Sequence, residues 1–223
     1  MEKNFIPEVS SYLRKNMIYV PKVIYKSSGI RVNGKLIRSL VFSTDVAIIR
    51  NINADAVIAV YPFTPQLVVT QALMTAADIP VFCGVGGGTT TGKRTVNIAL
   101  HAEFQGAFGV VVNSPTENSV ISALDETIDI PIVVTVGSEN TDIDARLKAG
   151  ADILNVSGGP RTIDIVKSIR DRYPDVPIIA TGGPNEHTIL QTIEAGANAI
   201  TYTPPTTAEL FSPVMEKYRN LND

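Results

Sequence analysis

The chain has 223 residues, is 44% hydrophobic and 18% charged, and carries a formal net charge of −3. That composition excludes a disordered chain, and the acidic balance argues against nonspecific binding to nucleic acid or to an anionic membrane. The length suits one large domain, no apolar run approaches the roughly 18–20 residues of a membrane span, and a lone cysteine, Cys83, leaves no intrachain disulfide.

No basic stretch followed by an apolar one opens the chain, so a cytoplasmic protein without a secretory leader is expected. Residues 1–38 stand outside the repeat that follows, as an extension packed on it. The spacing predicts a short helix over 6–15, with Val9, Tyr12 and Leu13 turned to a core. The run Ile30-Arg31-Val32-Asn33-Gly34-Lys35-Leu36-Ile37 sets Asn-Gly between short apolar segments, a strong hairpin signal. The extension is expected to plug the N-terminal end of a barrel or to form a subunit contact.

From residue 39 to 223 the sequence pulses between apolar runs and helical patterns. Eight strands are predicted, over 39–43, 56–61, 80–84, 109–113, 131–136, 153–156, 177–181 and 198–203. Most are rich in Val and Ile without polar alternation, as strands covered on both faces are. Between them lie segments with helical spacing. Over 161–171, Ile163, Ile165, Val166 and Ile169 mark a buried side. Over 186–195, Ile189, Leu190 and Ile193 share a face, and Gly196 stands where a C-terminal cap belongs. Thr206-Thr207-Ala208-Glu209 has capping-box spacing and opens the last helix. Eight strand-helix units in series predict an α/β fold, a single parallel (β/α)8 TIM barrel with a helix and hairpin extension.

Function in such a barrel sits at the C-terminal ends of the strands. That rim supplies Ser43, Asp45, Tyr61, Asn113, Thr135, Asn155, Thr181 and Thr201, a set rich in hydroxyls and amides and poor in acid-base groups. Asp45 follows the first barrel strand directly; it is a candidate general base, with Asn113 as polar partner, or an N-cap for the next helix. Two turns, Ser157-Gly158-Gly159-Pro160 and Thr181-Gly182-Gly183-Pro184, join late strands to helices, where glycines let an anion approach unsatisfied N–H groups. The run 84–95 holds Gly87 to Lys93 in the spacing of a nucleotide P-loop, but Arg94 stands where magnesium would need Ser or Thr. It is read instead as a flap over the mouth, with Lys93 or Arg94 meeting an anion. Cys83 is read as a core residue and not a nucleophile, His101 and His187 as helix-surface histidines, and no cluster has metal-ligand spacing.

The stretches Ala149-Gly150-Ala151-Asp152-Ile153, Ala180-Thr181-Gly182-Gly183 and Glu194-Ala195-Gly196-Ala197-Asn198 resemble the last third of the phosphate-binding (β/α)8 barrels. That superfamily includes thiamine-phosphate synthase, the keto-deoxy-phosphogluconate aldolases and N-acylmannosamine-6-phosphate epimerase. The resemblance implies a phosphate near Gly182 and Gly183. It departs after the eighth strand, at Thr203-Pro204-Pro205, and at the sixth, where Asn155 and Val156 stand in place of a Schiff-base lysine. The expectation is a metabolic enzyme taking a phosphorylated or carboxylated small molecule, with isomerase, lyase or hydrolase chemistry and no cofactor. The alternative is a non-catalytic regulatory barrel that binds such a metabolite. Barrels of this size often pair, and the extension offers a surface for a homo-oligomer.

Overall fold

Asn33 and Gly34 both adopt positive φ, 45° and 81°, which a two-residue hairpin matched to the twist of its strands requires. They join β1 (Ile30–Val32) to β2 (Lys35–Ile37) in antiparallel register. The computed structural model describes Pro7, Val9 and residues 17–220, so the helix expected over 6–15 lies outside the described residues, those two positions apart.

The eight apolar runs become β3 (Ser39–Phe42), β4 (Ala56–Ala59), β5 (Val81–Gly86), β6 (Gly109–Val112), β7 (Ile132–Val136), β8 (Ile153–Val156), β9 (Ile178–Thr181) and β10 (Ala199–Tyr202). They close in the order β10-β3-β4-β5-β6-β7-β8-β9, each pair parallel. The helices are α1 (Val46–Arg50), α2 (Leu67–Ala76), α3 (Gly92–Phe104), α4 (Asn118–Asp125), α5 (Ile143–Lys148), α6 (Thr162–Arg172), α7 (Glu186–Glu194) and α8 (Thr207–Arg219). This is the (β/α)8 barrel that the sequence pattern predicts.

Alternation along each strand sorts the core into two layers. Val41, Val57, Cys83, Val110, Val134, Val156 and Ala180 face outward into one cluster with the helices. Leu40, Ile58, Phe82, Val111, Val133, Ile153 and Ile179 face inward and fill the lumen. Ile30, Val32 and Ile37 of the hairpin belong to that inner cluster. The hairpin is tied to the strand-start end of β10, where Gly29 N–H donates to the Asn198 carbonyl at 2.8 Å. It therefore plugs the bottom of the barrel and leaves the opposite end open.

Three side chains brace that bottom. Asp55 accepts from the Arg38 and Ser39 amides at 2.8 and 3.0 Å, Asp152 from Ile132 N–H at 2.8 Å, and Asn198 from Ile178 N–H at 2.9 Å. Each stands just before one strand and holds the start of its neighbour. The Ala-Asp and Ala-Asn stretches that carry the resemblance to phosphate-binding barrels are thus scaffold at the closed end.

The eighth unit differs from the expected repeat. Residues 18–26 run from the Asn51–Asn53 stretch, bonded through Ile18, to α7, against which a 3-10 turn at Lys22–Lys26 packs. Val20 and Ile24 are buried in the outer core there. That segment fills the interval an eighth helix would cover, and no residue of α8 is buried.

Candidate active site

At the open end, alternation brings Asn155 and Thr135 from adjacent strands into one layer, with Asn155 Nδ2 donating to Thr135 Oγ1 at 3.3 Å. Thr181 and Thr201 are directly paired across β9 and β10, and Thr181 Oγ1 lies 3.3 Å from Ser157 Oγ. The layer is neutral throughout. Two of its buried oxygens, Asn155 Oδ1 and Thr201 Oγ1, have no hydrogen-bond partner among the described residues, although Thr201 is only 8% exposed. An unpaired buried hydroxyl costs about 1–3 kcal/mol, so a polar partner, whether water or a bound molecule, is expected at each of these oxygens.

Two cavities open from this mouth. One of about 250 Å³ lies over the ends of β4, β5 and β6, lined by Val60, Tyr61, Phe63, Gly86, Thr90 and Asn113. Thr90 is 2% exposed, and its hydroxyl too lacks a partner among the described residues. The other, about 490 Å³, lies over β9 and β10 and is lined by Thr181, Gly183, Asn185, Glu186, Thr201 and Thr203. The site residues read from sequence thus divide: Asn113 at the first cavity, Thr181, Gly183 and Thr201 at the second, Asn155 and Thr135 between.

The segment 84–95 is shorter as a loop than its glycines suggest. Strand β5 continues to Gly86 and α3 begins at Gly92, so the connection is a tight turn with Gly87 N–H bonded to the Thr90 carbonyl at 2.9 Å. Gly87 has φ 105°, and a Cβ there would meet Asn113 Cβ at 2.5 Å; a side chain would push β5 off β6. Gly86 and Gly87 are needed for close packing, whereas Gly88 and Gly92 have open space where a Cβ would be and take positive φ, 74° and 58°. Lys93 lies in a groove between α3 and α4 with Val96, Asn97 and Ser119, and Arg94 is exposed on the first turn of α3. Neither lines the mouth cavities.

The Gly-Gly turns are likewise well packed. A Cβ on Gly182 would meet Ile200 Cγ2 at 2.7 Å and Ile189 Cγ1 at 2.8 Å, and one on Gly158 would strike Ile165. Gly158 N–H donates to Thr162 Oγ1 at 3.0 Å, and Gly159 begins a 3-10 turn ahead of α6. The α7 N-terminus is closed by an Asn185–Thr188 capping box. Only Gly183, at φ 82°, also borders a mouth cavity.

Asp45 is an N-cap: its Oδ1 accepts from Ala47 N–H at 2.8 Å and Ile48 N–H at 3.2 Å, and its Oδ2 accepts from Thr207 Oγ. Ser43 Oγ in turn accepts from Asp45 N–H at 3.0 Å. The Thr207 hydroxyl, with the two amides behind it, holds the Asp45 carboxyl below its ordinary range although burial pulls the other way. A depressed carboxyl adds stability above its unfolded pKa of about 4 and loses it as pH falls through the lower folded value. Thr207→Val should therefore move the Asp45 titration upward, toward an ordinary aspartate, as followed by carboxyl-carbon NMR. An unmoved titration would show that the cap alone sets it.

Cys83 faces outward from β5, and burial pushes its thiol up to about 12. A thiol with that value is protonated at neutral pH and is no nucleophile. The native protein should consume no aromatic disulfide reagent until it is unfolded; prompt reaction would contradict this burial. His101 and His187 are both exposed, on α3 and α7.

Sequence reading missed Val60, Phe63 and Thr90. Phe63 is 72% exposed beside a cavity, and its local signal was an aromatic run, Tyr61-Pro62-Phe63, in a loop.

Together the closed parallel sheet and its helices define a (β/α)8 barrel whose C-terminal rim is open. No protein-family model and no curated protein sequence matches the chain. Among solved structures it is similar to a phosphonopyruvate hydrolase complexed with oxalate and Mg++ (TM-score 0.63, 12% identity, covering 86% of this chain and 84% of that one). It is also similar to a phosphoenolpyruvate phosphomutase from Streptomyces platensis subsp. rosaceus (0.60, 14%, 82% and 81%) and to an aldolase, QR15 (0.57, 18%, 86% and 98%). At these identities the likeness carries the fold alone.

Proposed function

We propose that this chain is a metabolic enzyme that binds a phosphorylated or carboxylated small molecule across the barrel mouth, with isomerase, lyase or hydrolase chemistry. The observation that carries the reading is the neutral layer of Thr135, Asn155, Thr181 and Thr201, with two buried oxygens that no group among the described residues satisfies. Such a layer hydrogen-bonds a hydroxyl-rich substrate. Gly183 and the first turn of α7 border the cavity on that side, where backbone amides and the positive end of a helix favour an anionic group. Asn113 at the other cavity would orient the rest of the ligand. Asp45, held ionised at the rim, would accept a hydrogen bond from a substrate hydroxyl more readily than it would hold a proton.

The solved barrels similar to this one are a hydrolase, a phosphomutase and an aldolase, which favours an enzyme. The magnesium of the hydrolase complex has no counterpart set of ligands here: among the described residues no three His, Cys, Asp or Glu side chains converge. The strand-end layer is neutral, so no step is drawn through a metal. Nor does that layer offer a lysine for Schiff-base chemistry.

A second reading, a non-catalytic metabolite-binding barrel, is favoured by the same neutrality, since Thr135, Asn155, Thr181 and Thr201 include no acid or base. A thermal-shift screen with phosphorylated sugars, phosphorylated pyrimidines and small keto-acids, run on wild type and Gly183→Asp, tests the site. A ligand at a hundred times its Kd stabilises by about 2.7 kcal/mol, and that gain should vanish in the variant. Turnover of the stabilising compound then supports the enzyme, and saturable binding without turnover supports the second reading. No stabilisation by any anion would overturn both.

A further inference from the structure

The charge around the mouth is one-sided. Among the described residues, the cavity over β4 to β6 is lined by no charged side chain, and the cavity over β9 and β10 by one, Glu186. No lysine or arginine lines either. Glu186 is exposed and makes no ion pair among the described residues. Asp45, kept ionised by the Thr207 hydroxyl, adds a second negative charge at the end of β3, the strand beside β10. A ligand with anionic groups alone would enter this field against repulsion, with backbone amides and neutral side chains to hold it.

The unpaired oxygens of the strand-end layer point the same way. Asn155 Oδ1 is a carbonyl oxygen and only accepts, while its Nδ2 is already engaged with Thr135. An ionised phosphate or carboxylate has no proton to donate, so neither satisfies that oxygen. Thr201 Oγ1 lies on the wall of the Glu186 cavity, in a residue 8% exposed, and has no partner among the described residues. A bound molecule that displaces water from this layer therefore has to bring donors of its own.

We infer that the ligand of this mouth is a zwitterion, whose anionic end is joined to a protonated amine that pairs with Glu186 in the cavity Thr201 also lines. An ammonium donates in several directions and accepts in none, so it bonds a carboxylate and a neutral oxygen together. Asn155 Oδ1 takes a further N–H or O–H of the same molecule. The anionic end keeps the amides of Gly183 and of the first turn of α7. This inference rests on the function proposed above and names the second charge of its substrate.

The test is isothermal titration calorimetry at neutral pH with two matched pairs, phosphoethanolamine against ethyl phosphate and glucosamine 6-phosphate against glucose 6-phosphate. In at least one pair the amine member should bind the wild type about tenfold more tightly, as a hydrogen bond between charged groups provides. Glu186→Gln should abolish that preference by weakening the amine and leaving the amine-free partner as tight or tighter. Glu186 is exposed, so circular dichroism should show the variant folded. A carboxylate in the first turn also favours the helix dipole, which bears on Tm; the preference within a pair is a readout that such a role does not move. Equal affinity within both pairs, or tighter binding of the amine-free members, overturns the inference and leaves the anion site standing. A preference that survives Glu186→Gln overturns it as well. Ethanolamine separates the two charges: if it binds and loses affinity in Glu186→Gln while ethyl phosphate and glucose 6-phosphate do not bind, the amine site stands and the anion site falls. Binding by none of the five compounds overturns both.

Discussion

A Thr201→Val variant is expected to melt above the wild type and to lose ligand affinity at the same time. Thr201 is 8% exposed, on the lumen side of β10, and its hydroxyl has no partner among the described residues. Valine has the same shape without the oxygen, so the substitution removes an unsatisfied buried group and leaves the packing in place. That is worth about 1–2 kcal/mol, or roughly 2–8 °C in Tm for a domain of this size. If the hydroxyl meets an anionic ligand, its loss removes a hydrogen bond to a charged group, about 1.5–3 kcal/mol, and weakens binding roughly 10- to 100-fold. The opposite signs are the point of the experiment. A structural hydroxyl would give the reverse pattern, a lower Tm with binding of the stabilising compound unchanged, and that result would remove Thr201 from the site. Asn155 makes a weaker test because its Nδ2 already bonds Thr135, so any replacement mixes two effects.

Phe82→Ala carries the largest expected loss of stability. The ring is 1% exposed in the lower lumen, edge-on to Phe108 at 6.0 Å and 84°, and in one cluster with the hairpin residues Ile30, Val32 and Ile37. Truncation removes the ring that joins plug to barrel and leaves a cavity that rigid strands cannot close. Such changes cost about 3–5 kcal/mol. Chemical denaturation should show it as a lowered midpoint with an unchanged slope. Gly109→Ala attacks the same contact from the other side, since a Cβ there would meet Phe82 Cδ1 at 2.6 Å. Overpacking of that kind costs about 1–3 kcal/mol. A Phe82→Ala protein as stable as wild type would mean that the hairpin plug does not depend on the lumen.

How far the sequence carried depends on the range of the interaction involved. Strand positions could be read because parallel strands buried on both faces leave continuous Val/Ile runs such as Gly109–Val112. Asn33-Gly34 could be read because its backbone demand is local, and Thr206 because a cap spans only three residues; the Asn185 cap went unread. The Gly84–Arg94 segment was ambiguous because glycine serves two ends. It frees a mobile loop, and it also lets backbone approach side chains, as Gly86 approaches Thr95 and Gly87 approaches Asn113. Composition does not separate those uses. Asp45 was read both as base and as cap; the cap is seen, while its bond to Thr207, 162 residues away, had no local trace.

By itself the sequence determined the barrel, the hairpin, the helix caps and the hydroxyl-rich character of the rim, since each follows from periodicity or from contacts a few residues apart. Only the tertiary structure decided which rim groups meet, that Lys93 faces the α3–α4 groove, and that Val20 and Ile24 are buried in the outer core beside α7 while no residue of α8 is buried. Those outcomes depend on contacts between segments far apart in the chain, which no local pattern records. The amphipathic pattern of a helix states that a face must be buried and says nothing about what will bury it.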